Sequence, residues 1–171
     1  MKAIKALFVF VISITLVSVS LNSFGQIESV SLQASGLTCS MCSRAIYKSL
    51  QKVPDIGKVE EDIEHSSYHI HFTHTDANSL QALKKAVIDA GFSVARMEIT
   101  VDFQHAAVSN DSTLKLNNQI FQFVHISNQL LEGPTQLLIV DKDYLLEKDR
   151  KKYAGSYNTD QHIFHVTIPQ S

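Results

Sequence analysis

The sequence predicts an α+β fold, a two-layer β-α-β-β-α-β sandwich followed by a small β-rich domain. Three observations predict it. A strand-like alternation gives way at Cys39 and Cys42 to helical spacing; a strand, strand, helix, strand succession completes the unit by about residue 103; and helical regularity fades beyond residue 111.

The chain opens with Lys2 and Lys5, an apolar run from Ala6 to Leu21, and Ser23-Phe24-Gly25 with small residues at both cleavage-defining positions. This is the layout of an export signal over residues 1–25, with the mature chain expected to begin at Gln26. The competing reading is an uncleaved anchor, against which Ser13, Thr15, Ser18 and Ser20 dilute the run. No cysteine follows the run directly, so a lipid anchor is not indicated. Cleavage would leave 146 of the 171 residues, enough for one ordinary domain or two small ones. It would also remove two lysines and no acid, taking the formal charge from −2 to −4. A mildly acidic surface offers no footprint for nucleic acid.

Over Glu28–Ala34 the residues Val30, Leu32 and Ala34 alternate with Ser29, Ser31 and Gln33, a half-buried strand. From Cys42 the spacing of Ala45, Ile46, Leu50 and Val53 is helical, and Val53-Pro54-Asp55-Ile56-Gly57 stops it. Lys58 to Glu64 reads as a second strand with Val59 and Ile63 inward, and Glu61 falls on the same face. After a turn at Ser66-Ser67, Tyr68, Ile70 and Phe72 face the core while His69 and His71 face away. Asp76 or Asn78 is expected to cap a second helix, with Leu80, Leu83, Val87 and Ala90 as its apolar stripe and Gly91 as its end. A fourth strand follows from Phe92 to about Phe103. This order is the split βαβ arrangement of the ferredoxin-like kind, in which two helices cover one face of a four-stranded antiparallel sheet.

Gln104 to Asp111 reads as a polar linker. Beyond it, Leu114-Lys-Leu116, Asn117-Asn118 and Ile120 to Ile126 suggest a hairpin, Gly133-Pro134 a turn, and Gln136 to Val140 a strand. Tyr144 to Tyr153 reads as a short charged helix and His162 to Ile168 as a last strand. Residues 112–171 are therefore expected to form a separate β-rich domain, barrel-like in character.

Cys39 and Cys42 are the only cysteines. A bridge across C-x-x-C closes too short a loop to constrain the unfolded chain much, so metal binding or redox exchange explains the pair better than a stabilising disulfide. Cys39 is expected in the loop and Cys42 in the first helical turn, where free N–H groups and the helix dipole favour thiolate over thiol. Soft thiolates suit Cu(I) and other thiophilic ions, while two donors fall short of a closed zinc site. Redox catalysis would set C-x-x-C in a thioredoxin-like sheet, often beside tryptophan and with a proline inside the motif. Here Ser-Met separates the cysteines, tryptophan is absent, and the element order differs.

Gly36-Leu-Thr-Cys-Ser-Met-Cys42, the helix after it, and Ala90-Gly-Phe92 before the fourth strand resemble the heavy-metal-associated domain family over residues 27–101. The resemblance implies a heavy-metal-associated domain over 26–103, with Cys39 and Cys42 as metal-binding residues. It also implies transfer by ligand exchange without enzymatic chemistry, and a metal-transporting ATPase or another metal-binding domain as partner. Leu37 stands where the family usually has a buried methionine, and Phe92 where bacterial copper carriers often have tyrosine near the metal. The expected function is to hold a thiophilic ion, Cu(I) first and Hg(II) or another such ion as the alternative, for delivery, buffering or detoxification. The expected place is the periplasm or outside the cell, off the membrane once the signal is cleaved. There the pair must be protected from oxidation to a disulfide.

The other candidates weigh less. His65, His69, His71 and His74 surround the third strand, where a second metal site competes with a plain polar sheet face or a seam against the second domain. Met41 could lend a thioether, though such a residue more often packs. His125, His162 and His165 show no ligand spacing, and Glu147 to Lys152 reads as a solvated helix face.

Overall fold

Alternation over Gly25–Ser35 builds β1, which buries Ile27, Val30, Leu32 and Ala34 on one face. In the computed structural model, residues 25–37, 39–75, 79–153 and 163–169 are described. The expected signal up to residue 24, the Asp76 or Asn78 cap, and His162 lie outside them. β1 is followed by α1 (Ser40–Leu50), β2 (Ile56–Asp62), β3 (Ser67–Phe72), α2 (Ser79–Asp89) and β4 (Ser93–Val108). β1 pairs antiparallel with β3 and β4, and β3 with β2, so the β-α-β-β-α-β order expected from the sequence gives the ferredoxin-like sheet. Ile46 and Leu50 of α1 and Leu80, Leu83 and Val87 of α2 are fully buried in the core shared with that sheet. Gly91, at a φ of 90° that suits glycine, ends α2, and Phe92 N–H donates back to the Val87 carbonyl at 3.1 Å.

Two local expectations shift. β2 starts at Ile56 and stops at Asp62, so Ile63 falls in the following turn and is 60% exposed instead of inward. Asp62 accepts the His65 N–H at 3.1 Å, a turn bond that competes with further pairing. In α1 the buried stripe runs through Ser43, Ile46 and Leu50, leaving Ala45 exposed. Glu61 does face inward as expected, opposite Tyr68.

The larger correction concerns the C-terminal residues. Where a linker is expected over 104–111, β4 runs on to Val108 with Ala106 and Val108 buried. A bulge at Gln104-His105, with His105 at a φ of 56°, resets the alternation there. The remaining elements are β5 (Thr113–Leu116), β6 (Gln119–Phe123), β7 (Gln129–Ile139), α3 (Glu147–Arg150), a 3₁₀ turn (Lys151–Tyr153) and β8 (Ile163–Thr167). β7 pairs antiparallel along β4 from Glu98↔Leu138 to Val108↔Gln129. Gly133-Pro134 is thus no turn but part of β7: Gly133, at a φ of 72°, lies opposite Phe103 beside the bulge, where a proline is tolerated.

One sheet results, in the order β2-β3-β1-β4-β7-β8-β6-β5, with β6 and β8 parallel. A separate barrel is not what forms. Phe121, Phe123, Phe164 and Val166 bury into the same core as Val30, Ile99 and Val101. The β5–β6 turn reaches back to β1: Asn117 Oδ1 accepts the Ile27 N–H at 3.2 Å, and Asn117 Nδ2 donates to the Thr75 carbonyl at 3.2 Å. An edge hairpin can touch a strand so far along the sheet only if the sheet curls strongly, the sense in which the barrel expectation has a physical basis.

Tyr144 to Tyr153 is only partly helical. Tyr144 and Leu145 are buried ahead of α3, with the Tyr144 ring edge-on to Phe164 at 5.4 Å and Lys84 Nζ 4.7 Å from its centroid. Val124, Leu138, Val140 and Leu145 make a small second cluster, with Tyr153 packed on it. Nearby, Asp141 Oδ2 accepts the His165 N–H at 2.8 Å and Oδ1 lies 2.6 Å from Nδ1 of the same fully buried imidazole. Burial pushes the Asp141 carboxyl up, and the hydrogen bonds and charge of His165 only partly offset it. A raised carboxyl contributes its stability below the ordinary value of 3.8 and loses it as pH rises through the folded value. Urea unfolding is therefore expected to show wild type losing ground to Asp141→Asn as pH climbs through and above that range.

Candidate metal centre

β1 ends at Ser35, and Gly36 takes a φ of 85° that a side chain would strain. That turn releases the chain from the sheet. Leu37 packs against the core, bearing out its expected packing role, and Cys39 follows with extended backbone at φ −157° and ψ 158° as the N-cap of α1. The Cys39 carbonyl accepts the N–H of Cys42 at 3.0 Å and, more weakly, of Ser43 at 3.4 Å, which starts the helix.

This geometry brings both sulfurs to one point. Cys39 Sγ and Cys42 Sγ lie 2.8 Å apart with no disulfide between them, Cys39 exposed and Cys42 half-buried at the start of α1. Met41 is 76% exposed, so it does no packing. Among the described residues no further His, Asp or Glu joins the pair in a group that could hold an ion. Two sulfurs and open surroundings suit a soft ion that tolerates two-coordination and leaves room for an incoming ligand.

Three neighbouring elements hold the loop. Phe92 lies beside Gly36, at 3.9 Å from where a Cβ would stand, and the Ser35 and Ser93 hydroxyls are 2.7 Å apart. From the β2–β3 turn, the Ser66 carbonyl accepts the Ala34 N–H at 3.1 Å and the His65 carbonyl accepts Gln33 Nε2 at 3.0 Å. From β3, the fully buried Tyr68 donates its hydroxyl to the Ser43 carbonyl at 3.0 Å, one residue beyond Cys42.

That tyrosine is absent from the sequence-level site. The signal was its place on the inward face of β3, since a buried phenol must find a partner. Burial pushes its pKa above the ordinary value and the charge of Glu61 adds to this, so the hydroxyl stays protonated and donates. Tyr68→Phe is expected to cost about 1 kcal/mol of stability in a denaturant titration. It should also loosen the first turn of α1, seen as faster amide exchange at Cys42 and Ser43.

The four histidines around β3 are not brought together. His65 Nδ1 lies 2.8 Å from Asp62 Oδ2 at the β2–β3 turn, and that contact holds the Asp62 carboxyl below its ordinary range. His69 and His71 are exposed on the face opposite the core, and His74 lies past the far end of β3. His125 packs edge-on to Tyr153, and His165 belongs to the Asp141 pair.

Comparison with known proteins places residues 31–93 in a match to the heavy-metal-associated domain. The chain is 37% identical over 65 residues to the mercuric transport protein periplasmic component of Shigella flexneri, covering 38% of this chain and 70% of that one. The protein of the same name from Pseudomonas aeruginosa is 32% identical over 81 residues, 47% of this chain and 87% of that one. Among solved structures, oxidized MerP from Ralstonia metallidurans CH34 is 34% identical, covering 39% of this chain and 94% of that chain with a TM-score of 0.34.

Proposed function

This chain belongs to the heavy-metal-associated domain family, and on that premise we propose that Cys39 and Cys42 together hold one thiophilic ion and pass it on by ligand exchange. The observation that carries the reading is the meeting of the two cysteine sulfurs, 2.8 Å apart, at the exposed start of α1. Hg(II) takes precedence over Cu(I) as the cargo. Both are soft ions content with two thiolates, but the relatives are named for mercuric transport, and Phe92 lacks the hydroxyl that bacterial copper carriers often place near the metal.

Exchange follows from the exposure. An incoming thiolate adds to the ion from the open side and one cysteine of the pair leaves as a thiolate; a second incoming thiolate then displaces the other. No bond of a substrate is made or broken, so the protein acts as a carrier and not an enzyme. The partner is a metal-transporting ATPase or another metal-binding domain able to offer thiolates. The relatives' names and the N-terminal signal pattern both favour the periplasm, where the ion itself keeps the pair from closing to a disulfide.

The test is thiol accounting on the reduced full chain. One equivalent of Hg(II) is expected to silence both thiols toward a colorimetric reagent, and the mercury should remain with the protein after challenge with an excess of Cu(I) and desalting. A thiol left reactive at one equivalent, or mercury that bridges two chains, would overturn the reading.

A further inference from the structure

On the sheet face away from both helices, β3 presents His69 and His71 two residues apart, both exposed. Alternate residues of a strand project to one face with their Cα atoms about 7 Å apart, within reach of two imidazoles converging on one ion. The surroundings leave the rings accessible. Opposite His69 stand Ser31 of β1 and Glu60 of β2; opposite His71 stand Ser29 and Lys58. These serines are short, and Lys58 is drawn aside into an ion pair with Glu60.

We propose that His69 and His71 form a second, open chelate for a borderline divalent cation, with Cu(II) bound ahead of Ni(II) and Zn(II). Imidazole nitrogens prefer these ions to the soft ones that thiolates take, and the Irving–Williams order ranks copper first. Glu60 adds negative charge on the same face. No preformed trio of ligands exists among the described residues, so water completes the coordination and the ion exchanges readily. The site does not depend on the cysteine pair, which lies beyond the end of β1 on another part of the molecule.

The full chain carrying Cys39→Ser and Cys42→Ser isolates the site. Titrated with CuCl₂ at neutral pH, it is expected to bind one Cu(II) and to show nitrogen hyperfine structure from two imidazoles in its electron paramagnetic resonance spectrum. Adding His69→Gln and His71→Gln should abolish that signature, whereas His105→Gln should leave it intact. Both substituted histidines are exposed, so an unchanged melting temperature checks the fold. An unchanged copper spectrum in the His69→Gln/His71→Gln protein overturns the proposal. In the wild-type cysteine background the same histidine substitutions should leave Hg(II) uptake as it was, which separates this site from the thiolate one.

Discussion

Cys39→Ser is expected to abolish tight binding of a thiophilic ion and at the same time to stabilise the protein. Cys39 is the N-cap of α1, and its side chain makes no capping hydrogen bond. Serine is among the preferred N-cap residues because its hydroxyl accepts a backbone N–H of the first turn. The substitution should therefore add about 0.5–1 kcal/mol to stability. It also replaces a soft sulfur donor by a hard hydroxyl, leaving Cys42 as the one sulfur of the pair, and the affinity for Hg(II) or Cu(I) should fall by orders of magnitude. Thermal melting and competition against a small dithiol check the two halves of the prediction. A lowered melting temperature would show that Cys39 has a structural role, and retained tight one-to-one binding would show that the ion sits elsewhere. The opposed effects have one cause: the position at the helix start that makes a good metal ligand is also where a cysteine is a poor cap.

What the sequence makes legible is whatever depends on neighbours in the chain. The alternation of Tyr68, Ile70 and Phe72 with His69 and His71 survives in the structure because β3 is flanked on both sides and only one face is covered. The cysteine pair is legible for the same reason: loop, cap and first turn are all local. Ile63 misleads because an apolar side chain cannot announce that the strand has already ended in a turn held by Asp62. The continuation of β4 is hidden by the bulge at Gln104-His105, after which Ala106 and Val108 resume the inward face in a new phase. Gly133-Pro134, usually a turn signal, here answers that bulge from the partner strand. Joining the C-terminal strands to the first sheet rests on pairing between β4 and β7 and on Asn117 reaching Ile27, contacts across long stretches of chain that leave no periodic trace.

That single sheet carries the second large expected effect. Phe121→Ala should cost about 3–5 kcal/mol, the range for removing a buried phenylalanine. Phe121 is fully buried, and its ring stacks on Phe164 at 5.6 Å in the core that also holds Val30, Ile99 and Val101. A domain of this size has about 5–15 kcal/mol of stability in all, so the loss is a large part of it. The informative measurement is where the loss is felt. If the two ends of the sheet fold as one cooperative unit, amide exchange in β1 and α1 should accelerate along with exchange in β6, and denaturation followed near the cysteines should shift to the same lower midpoint. The hydrogen bonds from Asn117 to both Ile27 and Thr75 give the coupling a direct path in addition to β4 and β7. Should β6 open alone while the protection of Leu32 and Ile46 stays at its wild-type level, the C-terminal strands would be an independently folding unit resting on the metal-binding one. The expected result is the reverse: a cavity beside Phe164 lowers the stability of the helix that presents the cysteines, because both draw on the same core.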